Sequence, residues 1–326
     1  MNNKPKMTIV TPVWNLFQEK RVETFRQTME SVHSQTYGNI EHIVINNNST
    51  DDTQKLIDEY IEKGWCSCHF QPIQGLWHAM QKGYEVASGD YINFMNSDDY
   101  FNNAKAVEIA ADSLVKEKAD WFYSDAFRLF GDGQLKIWTA DVNEIFIGVC
   151  PCHQSVWVSM DVMREFGGFD FHYELSLDNH MMLKLLLQNK KSVYASEPLV
   201  TFRQGGWSSV QKTHDFRSDY AINFYDQIGK SWGMTLEECE SIWLFYAFWE
   251  KNKKDNRELA KKIQNPQWQN FYLKNLDSYL NSSFKTTYYL FGLIPFLTRQ
   301  VNSSQTKTKY FLFDVLPVLK VRKHNP

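Results

Sequence analysis

The sequence predicts an α/β domain on a mostly parallel, Rossmann-like sheet with helices on both faces, followed by a helical C-terminal extension. Three observations predict it. Short apolar runs alternate with amphipathic helical patterns over the first hundred or so residues. Polar segments follow the apolar runs, at the strand ends where open parallel sheets bind ligands. Beyond about residue 211 the alternation gives way to aromatic-rich helical patterns.

Taken in order, "MTIVTPV" reads as a buried first strand, and residues 21–35 carry Val22, Phe25, Met29 and Val32 on one helical face. "EHIVINNN" is a second strand. In "STDDTQKLIDEYIEKG" a helix starts with Ser49 or Thr50 as N-cap and Asp51 and Asp52 in the first turn; Gly64 ends it. "CSCHFQPI", "GLWHAMQKGYEVAS" and "DYINFMN" continue as strand, helix and strand. Successive strand–helix–strand units in one sheet cross over right-handedly and leave it covered on both faces.

Residues 120–210 lose the clean alternation. "ADWFYSDAFRLF", "QLKIWTA" and "SVYASEPLVTFR" read as strands of a mixed region, "SMDVMREFGGF" as a short helix stopped by Gly167 and Gly168, and "LDNHMMLKLLLQNKK" as an amphipathic helix. The expected organisation is a catalytic domain over 1–211, with a nucleotide half to about residue 100 and an acceptor half beyond it, and an extension over 212–326. In that extension "TYYLFGLIPFLTRQ" repeats as "KYFLFDVLPVLKVR" about 22 residues later. Two copies do not make a solenoid. Short aromatic segments near Lys307, Lys309, Lys320, Arg322 and Lys323 fit interfacial membrane anchors, or two short helices packed on the domain.

Composition narrows the class. With 43% hydrophobic and 15% aromatic residues among 326, the chain buries a sizeable core, and a net charge of -3 argues against a general nucleic-acid binder. Cys66, Cys68, Cys150, Cys152 and Cys239 form two C-x-C pairs and a singleton, a pattern of reduced thiols, with a zinc site from the pairs as the alternative. The start lacks a signal-peptide core, and the longest apolar run, 242–249, is far below the roughly 20 residues of a spanning helix. The expected location is the cytoplasm, with any membrane contact peripheral.

The chemistry concentrates in "YINFMNSDDYF", residues 91–101. Asn, Ser and Asp there serve a turn, or Asp98 and Asp99 offer the carboxylate oxygens a hard divalent cation requires. Together with "TIVTPVWN", "INNNSTDDT", "GLWHAMQKGYEVASGDYINFMNSDD", "CHQSVWVSMDVMREFGGFDFHYELSLDNHMMLKLL" and "FRQGGWSS", this stretch resembles inverting GT-A glycosyltransferases of family 2. The resemblance is specifically to the branch that builds bacterial surface polysaccharides and lipooligosaccharides, and it covers about residues 7–210.

The resemblance implies a GT-A fold and a nucleotide-sugar donor, most simply a UDP-sugar. It implies Mn²⁺ or Mg²⁺ held by Asp98 with Asp99 as neighbour, and a glycan acceptor carried on a lipid. Asp178 matches the catalytic base, with Glu174 as fallback. Thr11, Pro12 and Trp14 flank base and ribose; Asn46 or Asn47, Lys82, Asn96 and Ser97 complete the donor side; His153, Gln154 and Arg203 lie toward the acceptor. The sequence departs from the family where an acidic residue is expected: at Asn46 or Asn47, at Asn96 and at His78. Gln81 replaces an Asn. These changes bear on the choice of nucleotide, leaving GDP- and dTDP-sugars and a non-catalytic sugar-nucleotide binder or assembly scaffold as alternatives.

Overall fold

The computed structural model describes residues 4–73, 75–147, 150–173, 176–205, 213–247, 257–281, 283–290, 294–302, 307–312 and 316–322. The first strands run β1 (Met7–Val13), β2 (Ile40–Asn46), β3 (Ser67–Phe70) and β4 (Tyr91–Phe94), with helices α1 (Val22–His33), α2 (Thr53–Glu62) and α3 (Leu76–Val86) between them. β1 pairs in parallel with both β2 and β4, and β2 with β3. All seven residues of β1 are buried, as expected of a strand covered on both faces.

Alternating side chains of β1 feed the two faces. Met7 and Ile9 join a core with Val107, Ala110 and Leu114 of α4 (Ala106–Glu117). On the opposite face α3 presses Gly83 onto Val10, where an added Cβ would lie 2.2 Å from Val10 Cγ1; the glycine is what allows that approach. Phe25 and Met29 of α1 pack with Leu56, Ile57 and Tyr60 of α2, the Phe25 and Tyr60 rings meeting edge-on at 5.7 Å.

The remaining strands make the sheet mixed. They are β5 (Tyr100–Phe101), β6 (Trp121–Leu129), β7 (Leu135–Trp138), β8 (Trp157–Ser159) and β9 (Ser192–Arg203), with α5 (Met160–Phe166) and α6 (Leu177–Leu187) between β8 and β9. The order is β3-β2-β1-β4-β8-β6-β9-β5, with β7 attached to β6. The two-residue β5 follows Asp98 and Asp99 directly and pairs with β9, Tyr100 against Thr201. That register carries the end of β9 to the acidic turn.

Near the start of β2, Glu41 accepts hydrogen bonds from Lys6 Nζ (2.9 Å), Thr8 Oγ1 (2.6 Å) and the Ser88 amide (2.8 Å). Burial alone would raise its carboxyl, but the bonds from Ser88, Thr8 and Lys6 overcome that and hold it down at about 2. A carboxylate depressed in the folded state stabilises above its unfolded pKa, here 4.5, and that stabilisation is lost as pH falls toward about 2. Urea midpoints measured across this range should show a loss of about 1–3 kcal/mol that Glu41→Gln lacks. An identical acid slope in the variant contradicts the assignment.

The chain divides into two compact units, Met1–Asn223 and Phe224–Pro326. The division falls inside α7 (Thr213–Gln227). In the second unit α8 (Leu236–Ala247), α9 (Arg257–Ala260) and α10 (Pro266–Asn281) bury Ile242, Leu259, Trp268, Tyr272 and Leu276, and Lys262 pairs with Glu238 at 2.6 Å.

The last segment is not helical, contrary to the expectation from sequence. β10 (Ser283–Leu290), β11 (Ile294–Asn302), β12 (Lys307–Leu312) and β13 (Leu316–Arg322) form an antiparallel four-stranded sheet in chain order. Each copy of the internal repeat is one hairpin. Leu290 opposes Ile294 and Leu312 opposes Leu316, and the ladder slips at matching places, Tyr288/Tyr289 and Tyr310/Phe311. Tyr, Phe, Thr and Val favour strands, and runs this short do not separate helix from strand by period.

Candidate active site

Adjacent strands bring the polar segments together. Val13 opposes Asn46 across β1 and β2, and Val10 opposes Phe94 across β1 and β4, so the residues leaving all three strands share one rim. Trp14 leaves β1 with 42% of its surface exposed, the arrangement for a flat partner to lie against. Thr11 and Pro12 are buried, and the Thr11 hydroxyl is engaged with His42 Nε2 at 3.0 Å. Burial pushes the His42 imidazole down to about 4, so it is neutral in that pair.

The "NNNSTDDT" segment is largely a clasp on the β1 loop. Ser49 Oγ accepts from the Asn15 amide (3.0 Å), Thr53 Oγ1 from the Leu16 amide (2.7 Å), and Asp51 Oδ2 from the Phe17 and Gln18 amides (3.0 Å each). The N-cap of α2 is Asp52, not Ser49 or Thr50. Asn46 serves the same loop: its amide nitrogen donates to Gln54 and its oxygen accepts from the Ser49 amide. Asn47 differs, being 6% exposed with an Oδ1 that has no hydrogen-bond partner among the described residues. Of the two candidates, Asn47 keeps an acceptor for a ligand.

The adjacent carboxylates also part company. Asp99 is fully buried; Oδ1 accepts from the Arg203 amide (2.7 Å) and Oδ2 from Gln154 Nε2 (2.5 Å). Burial and then the neighbouring Asp98 charge raise its pKa well above the ordinary carboxylate range. Fully buried and with a hydrogen bond on each oxygen, Asp99 is built into the framework of the turn, and Asp98 is the carboxylate of the pair that keeps some exposure. Asp98 is 13% exposed at its side chain and faces Arg21, with Oδ2 at 3.2 Å from Nη1. Burial raises its pKa against the opposing pull of Arg21.

A hard divalent ion takes one or two carboxylates and fills its sphere with substrate phosphates and water. Asp98 fits that pattern, and Asn96 adds a buried Oδ1 without a partner among the described residues. Among the described residues no three His, Cys, Asp or Glu side chains cluster around one metal position, the paired cysteines included. Ser97 is buried beside them, and Lys82, half-buried on α3, makes no ion pair with the described residues.

Arg203 organises this turn. Besides its amide on Asp99, Nε donates to the Asp98 carbonyl (3.0 Å) and Nη2 to Gln27 Oε1 (2.8 Å). Gln154 is the matching clamp from the other side: its Oε1 accepts from Cys152 Sγ at 2.9 Å while Nε2 holds Asp99. Both residues act here through Asp99.

Asp178 lies in the first turn of α6, after Ser176, which is the N-cap. Its Oδ1 accepts from the Asn179 amide at 2.8 Å. Oδ2 has the Cys150 thiol at 3.8 Å and His153 Nδ1 at 3.8 Å, and about a fifth of the side chain is exposed. Burial pushes His153 down, while Asp178 and then Asp98 pull it up. The histidine thus lies within electrostatic reach of both carboxylate centres. Glu174 lies outside the described residues.

His78 and Gln81 turn toward the acceptor half. The His78 ring stacks on Phe171 at 4.5 Å, and Gln81 Oε1 accepts from the Phe169 amide at 3.0 Å. Gly168, at φ 82, leaves the space Gln81 occupies; a Cβ would lie 2.3 Å from Oε1. Sequence reasoning missed Arg21, though one signal pointed to it. A cation at the N-terminus of α1 opposes the helix dipole and so needs another partner.

Known proteins share this fold. Residues 8–154 match the family described as Glycosyl transferase family 2. An uncharacterized glycosyltransferase of Haemophilus influenzae is 38% identical over 231 residues, 68% of this chain and 88% of that protein. Glycosyltransferase GlyA of Streptococcus pneumoniae is 28% identical over 221 residues, 61% of this chain but only 30% of that protein's length. Among solved structures, S. aureus TarS 1-349 in complex with UDP-GlcNAc superposes with a TM-score of 0.58 at 14% identity, covering 84% of this chain and 80% of that one. With a GT-A fold and this relationship, the chain belongs to glycosyl transferase family 2.

Proposed function

We propose that this chain is a metal-dependent, inverting hexosyltransferase that moves a sugar from a UDP-sugar to a growing bacterial surface glycan on a lipid-linked acceptor. One observation carries the reading: Asp178 lies 3.8 Å from His153 Nδ1, and Asp98, a carboxylate in different surroundings, is also within electrostatic reach of that histidine. On the donor side, Trp14 lies against the base, Asn47 Oδ1 accepts from its ring N–H, and Lys82 meets the diphosphate. Asp98 and Asn96 would hold a divalent ion, which when bound offsets the charge that grows on the departing diphosphate.

Asp178 takes the proton of the attacking acceptor hydroxyl, on the face of the sugar opposite the leaving group. A single displacement of that kind inverts the anomeric centre. The UDP-GlcNAc bound by TarS supports a uridine nucleotide. Release of UDP from a panel of UDP-sugars, with Mn²⁺ and with chelator, tests the reading: donor hydrolysis that requires the ion supports it. Hydrolysis of GDP- or dTDP-sugars alone reassigns the donor, and no hydrolysis of any donor favours the scaffold.

Aromatic hairpins with nearby lysines fit a peripheral contact with the cytoplasmic face of a membrane, each basic residue adding about 1 kcal/mol against an anionic leaflet. Among the described residues no helix is long and apolar enough to cross a membrane. Full-length protein should therefore sediment with phosphatidylserine vesicles at low salt and less so at high salt, and a form ending at Asn281 should not. Equal sedimentation of both forms removes the tail from the membrane.

A further inference from the structure

Beside the base, and lined in part by it, lies a small cavity of about 30 Å³. Trp77, Phe94, His153, Phe169, Asp178 and Met181 are among its lining residues, and the rest of the wall is aliphatic or methionine. Two of these lining residues carry a buried nitrogen with no hydrogen-bond partner among the described residues: Trp77 Nε1 and His153 Nε2. Such atoms are uncommon in a finished core and indicate a missing partner. Trp77 Nε1–H is a donor only. His153, kept neutral by burial, presents Nδ1 to the Asp178 carboxylate, which favours the proton on Nδ1 and leaves Nε2 as an acceptor.

The lining residues therefore supply one unpartnered donor, one unpartnered acceptor and a hydrocarbon pit. A sugar hydroxyl matches the polar atoms but gains nothing from the pit, where its own polarity is penalised. An acetamido group matches all three: its carbonyl takes the Trp77 N–H, its N–H meets His153 Nε2, and its methyl enters the pit. We propose that this cavity recognises the acetamido group of an N-acetylated amino sugar on the acceptor, next to the hydroxyl that attacks. The acceptor rather than the donor is assigned because Asp178 is itself part of the wall. The inference rests on Asp178 as the base and names the class of sugar presented to it.

Saturation-transfer NMR on the full chain with UDP and Mn²⁺ tests it, using methyl glycosides of N-acetylglucosamine, N-acetylgalactosamine, glucose and galactose. The acetyl methyl should receive the strongest saturation, and the acetamido glycosides should bind at least about 10-fold more tightly than the parent hexosides, about 1.4 kcal/mol. Trp77→Phe keeps the ring and deletes the donor, and should bring the two classes within about 3-fold of each other. Equal binding in the wild type, absent saturation, or a preference untouched by Trp77→Phe overturns the proposal. A parallel arm compares UDP-glucose with UDP-GlcNAc. Discrimination there and not among the glycosides moves the acetamido to the donor and overturns the acceptor assignment. UDP binding and donor hydrolysis in the same samples keep the readings apart, since their loss is a failure of the glycosyltransferase reading itself.

Discussion

Asp178→Asn is expected to lower kcat by about 10²–10⁴, the range for removing a general base. Asn is nearly the same size and still accepts the Asn179 amide hydrogen through Oδ1, so the first turn of α6 keeps its geometry. It cannot take a proton. Donor affinity, read by calorimetry with a non-hydrolysable UDP-sugar, should stay within about 2-fold, because the base acts on the acceptor. Thermal stability should also hold, the side chain being a fifth exposed. A collapse of donor affinity with kcat preserved places Asp178 in the donor pocket instead.

The second large effect separates two neighbours. Asp98→Asn removes the charge that would hold the divalent ion and leaves Arg21 facing a neutral amide. Turnover should fall by about 10² or more, and the gain in UDP affinity on adding Mn²⁺ should largely disappear while metal-free UDP binding changes little. Asp99→Ala should behave differently. It strands the Gln154 amide and the Arg203 N–H in a site with no exposed surface, at a cost of about 2–4 kcal/mol. Its signature is a lower urea midpoint. If instead Asp99→Ala keeps wild-type stability and loses Mn²⁺ coupling, the roles of the two carboxylates are reversed.

These outcomes turn on features that a linear reading does not separate. Strand existence along residues 7–94 was legible because buried parallel strands are short apolar runs and their covering helices carry a 3.6-residue period. The acidic turn was legible as a place, since it follows β4. Which carboxylate keeps its exposure was not, because adjacent residues leaving a strand point to different sides. The same uncertainty joined Asn46 to Asn47 until one was found inside its own loop and the other buried with an open acceptor.

Long-range pairing hid more. Arg203 reaches Asp99 across 104 positions because the short β5 lies against β9, and two residues give no period to detect. Gln154 arrives from the turn before β8, 55 positions away. The Cys150 thiol beside Asp178 and the Trp77 indole in the cavity have no signature in spacing at all. In the tail, the repeat was visible and its secondary structure was not: composition favoured strands, while the neighbouring helical patterns suggested the opposite.

The most direct test of the account is the configuration of the sugar released when the acceptor is omitted. Proton NMR of a UDP-α-hexose with enzyme and Mn²⁺, recorded in the first minutes before mutarotation, distinguishes the two anomers. Attack from the Asp178 side, opposite the diphosphate, predicts that the β-anomer appears first and that Asp178→Asn slows its appearance by about 10²-fold or more. Initial release of the α-anomer, or release at an unchanged rate in Asp178→Asn, contradicts the account.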